Sequence, residues 1–369
     1  MLVDYAHTKS GEADDKRCDL PTLLKADLKA AGRSSYSVVA FTHLDDDHCC
    51  GASDFFHLEH ASKYQGDGRH KIETLWVPAG AITEENLDGD ARIIRSEARH
   101  RLRNGKGIKV FSRPERLKDW FDREGLNMDD FRHCFVDAGK LVGGFSLAVD
   151  GVEFFAHSPH ALRTNERGLE DRNSDSLVFQ TRFLEGGFQT DILFSGDVTY
   201  AELAEIVDIT KYHENDDRLH WNVYHLPHHC SYTALGPDKG VDKTIPVEQL
   251  KWLCETQGEP NGYIISPSKP IPLKGDARRQ GRAAAAPSGG RVLPHGCVEQ
   301  REQVAGDNVR TLEHQPQADR DLRHFNRSGE DPARVRRCDR GGGRDGTACR
   351  MSSWQAYLEA LYPSLFAAG

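Results

Sequence analysis

The sequence predicts a protein of the α/β class, in which strands and helices alternate along the chain. One observation is a series of short runs rich in Val, Ile, Phe and Tyr, each bounded by turn-forming or polar residues and each of the length of a buried strand. These runs are 37–42, 74–77, 151–156, 176–181, 191–194, 221–226 and 262–266. The other observation is that stretches with helical periodicity lie between them. Periodicity leaves two architectures open, a pair of sheets with helices outside them or a single α/β sheet.

The predicted helices differ in character. In 20–31, apolar residues recur at helical spacing. The stretches 91–103 and 114–123 are highly charged and predict surface helices within a helical insertion at about 80–135. The stretch 200–209 predicts an amphipathic helix with one apolar face.

Composition limits the class of protein. The chain has 369 residues, of which 38% are hydrophobic and 28% charged, and its formal net charge is -9. No apolar run approaches the roughly 18 residues of a membrane span, and the N-terminus lacks the pattern of a secretory signal. The nine cysteines are an odd number without CxxC spacing, which indicates reduced thiols. We therefore expect a soluble, cytoplasmic protein whose negative charge disfavours a broad nucleic-acid-binding surface but leaves a local basic groove open.

The character of the sequence changes near residue 275. Residues 275–369 contain 15 arginines but no lysine, and large apolar residues become few in 275–350. Such a segment cannot bury enough apolar area to offset its chain entropy, so we predict that 275–350 is a disordered, low-complexity segment. A shifted reading frame is the alternative, because GC-rich DNA read out of frame encodes Arg, Gly, Ala and Pro but little Lys. We predict a folded domain in 1–274 and a short amphipathic helix in 351–369.

The stretch 41–51, FTHLDDDHCCG, directly follows a predicted strand and concentrates histidines and aspartates. His43, Asp45, Asp47 and His48 are spaced so that a short loop could direct several side chains to one point. Neutral imidazole together with carboxylate suits Zn²⁺, Mn²⁺ or Fe better than Ca²⁺, which prefers oxygen ligands. A site for one or two metal ions is one interpretation of this stretch, and a solvated acidic turn is the other.

Two further predicted strands end in residues of the same kinds. Asp197 follows the run 191–194 after a glycine, and His228 and His229 follow another apolar run within HLPHHCS. The ligands of a metal site are commonly far apart in sequence but close in space. Three strand ends that each supply His or Asp therefore favour a metal site more strongly than any one of them does.

The order of these motifs is similar to that in the metallo-β-lactamase superfamily. Residues 42–48, THLDDDH, resemble its HxHxDH signature, with aspartate where the second histidine stands. This HxDxDH form is similar to that of the branch around the ComEC-type competence proteins. Further motifs of that branch have counterparts in the same order, at 173–178, 192–197, 226–231 and 262–266.

Three departures accompany the resemblance. Cys230 stands in place of a glycine, and the residues after Ser266 do not supply the late histidine of the branch. The chain also begins at what resembles the second or third strand of the family. The resemblance therefore implies a domain that lacks the first strands of the fold.

For 1–274 the resemblance implies a hydrolase domain, a four-layer αββα sandwich with two divalent metal ions at one edge of its sheets. Zn²⁺ is the expected metal, with Mn²⁺ or Fe as alternatives, and a hydroxide between the ions is the implied nucleophile. The implied ligands are His43 and Asp45 for the first ion, Asp47 and His48 for the second, Asp197 as the bridge, and His228 as the favoured member of its pair. Asp47 and His228 are the implied catalytic residues, and Asp4 is expected to support the metal loop from behind.

The expected function is that of a metal-dependent hydrolase acting on phosphodiesters. A small phosphodiester, a nucleotide or a single-stranded nucleic acid is the expected substrate, and no membrane association is expected. An ester, thioester or lactone hydrolase is one alternative, although those branches usually keep the histidine that Asp45 replaces. The other alternative is a catalytically degenerate domain of the same fold that serves as a binding or regulatory module.

Overall fold

The computed structural model describes residues 1–10, 12, 15, 17–161, 172–241, 244–268 and 291–294. These residues form two β-sheets and the helices that cover them. The predictions for 275–350 and 351–369 lie outside the described residues, except that the four residues 291–294 form a strand.

The first sheet, sheet A, is parallel throughout. Its strands lie in the order β1-β2-β4-β5-β6, and β3 also pairs with β4. The strands are β1 (Leu2–Val3), β2 (Ser35–Ala40), β3 (Phe56–His57), β4 (His70–Pro78), β5 (Ile108–Phe111) and β6 (Phe135–Val136). Parallel strands need crossover connections, which helices supply here.

The second sheet, sheet B, is mixed. Its strands lie in the order β13-β12-β11-β10-β9-β8-β7. The strands are β7 (Lys140–Leu141), β8 (Val152–Ser158), β9 (Val178–Glu185), β10 (Phe188–Phe194), β11 (Trp221–His225), β12 (Gly258–Ser266) and β13 (Arg291–Pro294). Strands β7 to β10 form an antiparallel meander, and β10 to β13 are parallel.

The helices begin and end at recognisable signals. They are α1 (Leu20–Ala30), α2 (Asp46–Cys49), α3 (Ala52–Phe55), α4 (Gly80–Thr83), α5 (Gly89–Asn104), α6 (Glu115–Glu124), α7 (Leu147–Asp150), α8 (Tyr200–Tyr212) and α9 (Glu248–Glu255). Asp19 accepts a hydrogen bond from Thr22 N at the start of α1. Thr199 and Glu202 form a capping box at the start of α8, which satisfies backbone N–H groups that have no partner within the helix. Among the described residues, no helix is both long and apolar enough to cross a membrane.

Helices cover the outer face of each sheet. Leu28 of α1, Ile94 of α5 and Trp120 of α6 are buried in one cluster with side chains of sheet A. Ile206 of α8 and Leu253 of α9 are buried in a second cluster with side chains of sheet B. Burial of these apolar side chains is the main term that holds the outer layers in place.

A third cluster lies between the two sheets. It joins Val38 and Trp76 of sheet A to Phe154 and Phe179 of sheet B, and the rings of Trp76 and Phe154 meet edge to face at 5.0 Å. On β2, Val39 packs on the helix side while Val38 faces the other sheet, the alternation expected of a strand buried on both faces. The α/β class is confirmed, and of the two architectures left open the structure has two sheets with helices outside them.

The stretch 80–135, predicted as a helical insertion, contains a strand as well as helices. Strand β5 pairs with β4 on one side and β6 on the other. Helices α5 and α6 place Leu102 and Phe121 in the same buried cluster as sheet A. The four residues of β5 were missed in the sequence because so short a run shows little periodicity.

Candidate metal centre

Three loops form the candidate centre, and each follows the C-terminal end of a strand. The loop after β2 leads into α2, and the loops after β10 and β11 carry Asp197 and the pair 228–229. Leu177 N, next to β9, donates to Thr42 O at 2.9 Å and so joins the first loop to the other sheet. Residues from both sheets therefore meet at one place.

The turn after β10 requires a glycine. Gly196 has a φ of +49°, and a Cβ at this position would lie 2.7 Å from the Cβ of Ser176. Ser176 Oγ accepts a hydrogen bond from Asp197 N at 3.4 Å and lies 3.3 Å from His43 Nδ1. The close approach at Gly196 thus brings Asp197 beside the loop that follows β2.

Four side chains meet in a group that we call the tetrad: Asp47, His48, Asp197 and His229. One candidate ligand atom from each lies within 4.8 Å of the others. His48 Nε2 is 3.3 Å from Asp197 Oδ2, and His229 Nε2 is 2.9 Å from Asp47 Oδ2 and 3.1 Å from Asp197 Oδ2. Ligands that share one tetrahedral ion at about 2.1 Å lie roughly 3.4 Å apart, so the tetrad has the spacing of a metal site.

The histidines of the tetrad are oriented as metal ligands are. Nε2 of both His48 and His229 is buried, and its contacts with the carboxylates lack hydrogen-bond geometry. His48 Nδ1 lies 2.8 Å from Asp4 Oδ2, and Asp4 also accepts hydrogen bonds from Thr42 N and Oγ1 at 2.6 and 2.7 Å. A carboxylate that holds the far nitrogen of an imidazole is the usual partner of a metal-ligating histidine. Asp4 therefore holds Thr42 and His48 in place, which are the contacts expected of a residue that supports this segment from behind.

The tetrad is electrostatically suited to a cation. Burial alone would raise the pKa of Asp197, but His229 and His48 outweigh it and hold the pKa of that carboxyl well below its usual range. Burial alone would lower the pKa of His48, but Asp4 and Asp197 outweigh it and raise that pKa to about 11. The contact with Asp197 also raises the pKa of His229. The carboxylates thus attract positive charge to these nitrogens, and a metal ion that binds there displaces protons.

His43 lies beside the tetrad in a neutral state. It is 2% exposed, and its ring centroid is 4.0 Å from that of His48. Burial and the neighbouring His48 lower the pKa of His43 to about 4. Its Nδ1 lies 3.2 Å from Thr42 Oγ1, whereas its Nε2 has no hydrogen-bond partner among the described residues.

Asp45 is bound by a guanidinium that the sequence reasoning missed. Arg172 Nη1 donates to Asp45 Oδ1 at 2.6 Å, and Arg172 Nη2 donates to Glu84 at 2.6 Å. The other oxygen of Asp45, Oδ2, lies 3.6 Å from His43 Nε2. The only signal in the sequence was that Arg172 directly precedes the motif at 173–178.

The structure places His229 in the tetrad and leaves out His228, the member of the pair that we favoured from the sequence. The backbone N of His228 donates to Gly196 O at 3.2 Å, which holds this turn beside Asp197. His228, His229 and Cys230 have successive φ values of 49°, 50° and 63°, a left-handed conformation that costs roughly 1–2 kcal/mol per residue. This turn directs the second histidine rather than the first to the centre, and strain of this kind is concentrated at functional sites.

Of the six ligands expected from the sequence, the structure brings Asp47, His48 and Asp197 together and places His43 and Asp45 next to them. The donor set of the tetrad, two imidazoles and two carboxylates, fits one ion of the Zn²⁺, Mn²⁺ or Fe type. Comparison with protein-family models and with curated proteins finds no match to this chain.

Proposed function

We propose that this protein is a metal-dependent hydrolase of phosphodiesters, with the fold of the metallo-β-lactamase superfamily and with motifs that resemble those of the ComEC-type branch. One observation supports the proposal above all others. In the tetrad, two buried imidazole nitrogens and two carboxylates converge, and Asp4 holds the far side of His48. The layers of helix, sheet, sheet and helix, with the tetrad at the C-terminal ends of strands, agree with that fold.

A bound divalent ion would supply Lewis acidity towards a phosphoryl oxygen and towards water. His48 and Asp197 would hold it from the protein side, because the side chains of both are only 8% exposed. Asp47 and His229 face outward, with side chains 59% and 38% exposed, so the substrate approaches from their side. Asp47 is placed to accept the proton of the attacking water, since its carboxylate is the most open group of the tetrad.

His228 is assigned to substrate contact instead of metal binding. It adjoins His229 in the left-handed turn and is partly exposed, although its Nδ1 is buried without a hydrogen-bond partner among the described residues. An imidazole in this place can donate to a phosphate oxygen or to the leaving group. His228 thus keeps the catalytic role that was predicted from the sequence. The ligand role that was also predicted for it passes to His229.

Phosphodiesters are the preferred substrate class because of position 45. The ester, thioester and lactone hydrolases of the superfamily usually carry a histidine there, whereas this chain has Asp45. The net charge of -9 favours a small phosphodiester, a nucleotide or a short single strand over a long nucleic-acid footprint.

The proposal is tested by measuring hydrolysis with protein loaded with Zn²⁺ or Mn²⁺. The substrates are bis(p-nitrophenyl) phosphate, cyclic nucleotides and single-stranded DNA, with a lactone and a thioester as comparisons. We expect turnover of phosphodiesters that a chelator abolishes and added metal restores. Turnover of the lactone or thioester alone would replace this proposal with its alternative, and no turnover at all would leave the binding-module interpretation.

A matched pair of substitutions separates the two histidines. His229→Asn removes a ligand, so we expect the affinity for Zn²⁺ to fall by about a hundredfold in a competition titration with a chromophoric chelator. His228→Asn should leave that affinity unchanged and lower kcat/KM. Asparagine tolerates the left-handed conformation, so both variants keep the turn. Equal losses of affinity in the two variants would contradict the assignment.

A further inference from the structure

We propose that the centre holds one metal ion per chain rather than two. The positive charge of the Arg172 guanidinium takes the place of the charge of the second ion. The inference rests on the proposed function, because it concerns the same centre. It departs from the expectation of two ions that the sequence resemblance implied.

The ligands for a second ion do not form a complete set among the described residues. His43 Nε2 and Asp45 Oδ2 lie 3.6 Å apart and are the expected pair for that ion. In the part of the chain that the structure describes, three or more ligand atoms gather in one group only, the tetrad, which includes neither residue. Asp197, the expected bridge, groups with the tetrad and not with His43 and Asp45, so a second ion would find an incomplete set where a tightly bound ion commonly has three or four ligands.

The charge of Asp45 is already balanced. Arg172 Nη1 lies 2.6 Å from Asp45 Oδ1, and Arg172 Nε and Nη2 bind both oxygens of Glu84 at 2.6–2.9 Å. The side chains are partly buried, 35% exposed for Arg172, 33% for Asp45 and 14% for Glu84. A guanidinium held in this way by two carboxylates is fixed in position and remains charged at all accessible pH values.

A divalent ion on Asp45 Oδ2 would stand close to this fixed guanidinium. The two would be about 5 Å apart, since one binds each oxygen of the same carboxylate at roughly 2–3 Å. Like charges at that distance repel strongly in a partly buried site. The tetrad does not meet this obstacle, because no Arg or Lys within the described ranges forms an ion pair with Asp47 or Asp197.

The aspartate at position 45 is what makes the arrangement stable. A carboxylate accepts the hydrogen bond of Arg172 and cancels its charge, whereas a neutral imidazole there would leave the guanidinium bound to Glu84 alone. The replacement of histidine by Asp45 and the presence of Arg172 thus form one feature. Arg172 is a positioning residue that holds Asp45 and a fixed positive charge beside the single ion.

The test is the number of ions bound, measured without reference to activity. Full-length protein purified without chelator is analysed for metal per chain, and metal-free protein is titrated with Zn²⁺ by calorimetry. We expect one equivalent and no second binding step. Two equivalents would overturn this inference and leave the proposed function standing, whereas none after reloading would overturn the proposed function itself.

Three variants examine Arg172 directly, each first checked for native folding by its thermal transition. Arg172→Gln removes the charge but keeps a hydrogen-bond donor, so we expect a second Zn²⁺ binding step to appear. Its affinity should be at least tenfold higher than that of any second step in the parent protein. Arg172→Lys keeps the charge and should bind one ion. Glu84→Gln is the matched control, because it leaves Arg172 on Asp45 and should also bind one ion. A single, unchanged step in Arg172→Gln would overturn the role of the guanidinium.

Discussion

Asp191 and Asp197, one within strand β10 and one just after it, have the same side chain and opposite surroundings. Asp191 lies within the strand and is fully buried, and Asp197 lies just beyond its end. Arg182 binds both oxygens of Asp191 at 2.9 and 3.2 Å, and His220 Nδ1 lies 2.9 Å from Oδ2. Asp197 instead faces two imidazoles, and no Arg or Lys in the described part of the chain forms an ion pair with it.

The difference shows how the charge partners of a carboxylate separate one that is balanced within the fold from one that could bind a metal ion. Asp191 has its charge cancelled by a guanidinium, and its hydrogen-bonding capacity is filled. Asp197 has partners that can bind a proton or share a metal ion, so its charge is not held by a permanent cation. Asp45 belongs with Asp191 in this respect, because Arg172 binds it.

The largest expected effect is that of Asp197→Asn. Under the proposed function the substitution removes a charged ligand, and we expect phosphodiester turnover to fall by about a thousandfold or more, since a bound ion would supply several kcal/mol of transition-state stabilisation. Turnover and bound metal are measured on the same preparation. If the variant lost its metal but kept wild-type turnover, Asp197 would not act through a metal ion. The proposed distinction between Asp197 and Asp191 would then be wrong.

Asp191→Ala should have the opposite pattern. It leaves the guanidinium of Arg182 buried without its main partner, so the free energy of unfolding in urea should fall by about 3–5 kcal/mol. Metal bound per folded chain should not change. The control is Asp217→Ala, which removes an exposed partner of Arg182 and should cost less than about 1 kcal/mol. Loss of metal in Asp191→Ala would show that the two ends of the strand are not independent.

A pair of histidines extends the comparison. His48 lies between two carboxylates, whereas His157 contacts Arg218 O at 2.9 Å and Thr210 Oγ1 at 3.3 Å. Burial lowers the pKa of His157 to about 4. Between pH 6.5 and 4 the unfolded chain binds a proton at His157 that the folded chain does not. The stability from neutral His157 is therefore fully present above pH ~6.5 and is lost as the pH falls towards 4, by up to roughly 3 kcal/mol.

His157→Gln tests this sign. Glutamine can still donate to Arg218 O but does not titrate, so the free energy of unfolding should depend less steeply on pH below 6.5 than in the parent protein. Urea unfolding at a series of pH values between 7 and 4.5 measures the difference. Parallel profiles for the two proteins would mean that His157 does not contribute to the acid sensitivity.

Much of the fold could be predicted from local sequence. The runs 37–42, 191–194 and 221–226 overlap β2, β10 and β11, because composition and turn residues mark buried strands within a few residues of chain. The sequence also indicated that polar residues follow these strands. Asp47 and His48 follow a strand of sheet A and Asp197 follows a strand of sheet B, so their meeting was implied by the resemblance of the motifs and not by strand periodicity.

Only the tertiary structure decided which groups face one another. The existence of two sheets depends on which face of each strand packs against which neighbour, and periodicity does not carry that information. The choice of His229 over His228 depends on three successive left-handed residues, a conformation that no residue in that turn favours by itself. The pairing of Arg172 with Asp45 joins residues 127 positions apart. Strand propensity is local and can be read along the chain, whereas side-chain direction and charge balance arise through space and follow from the packed fold.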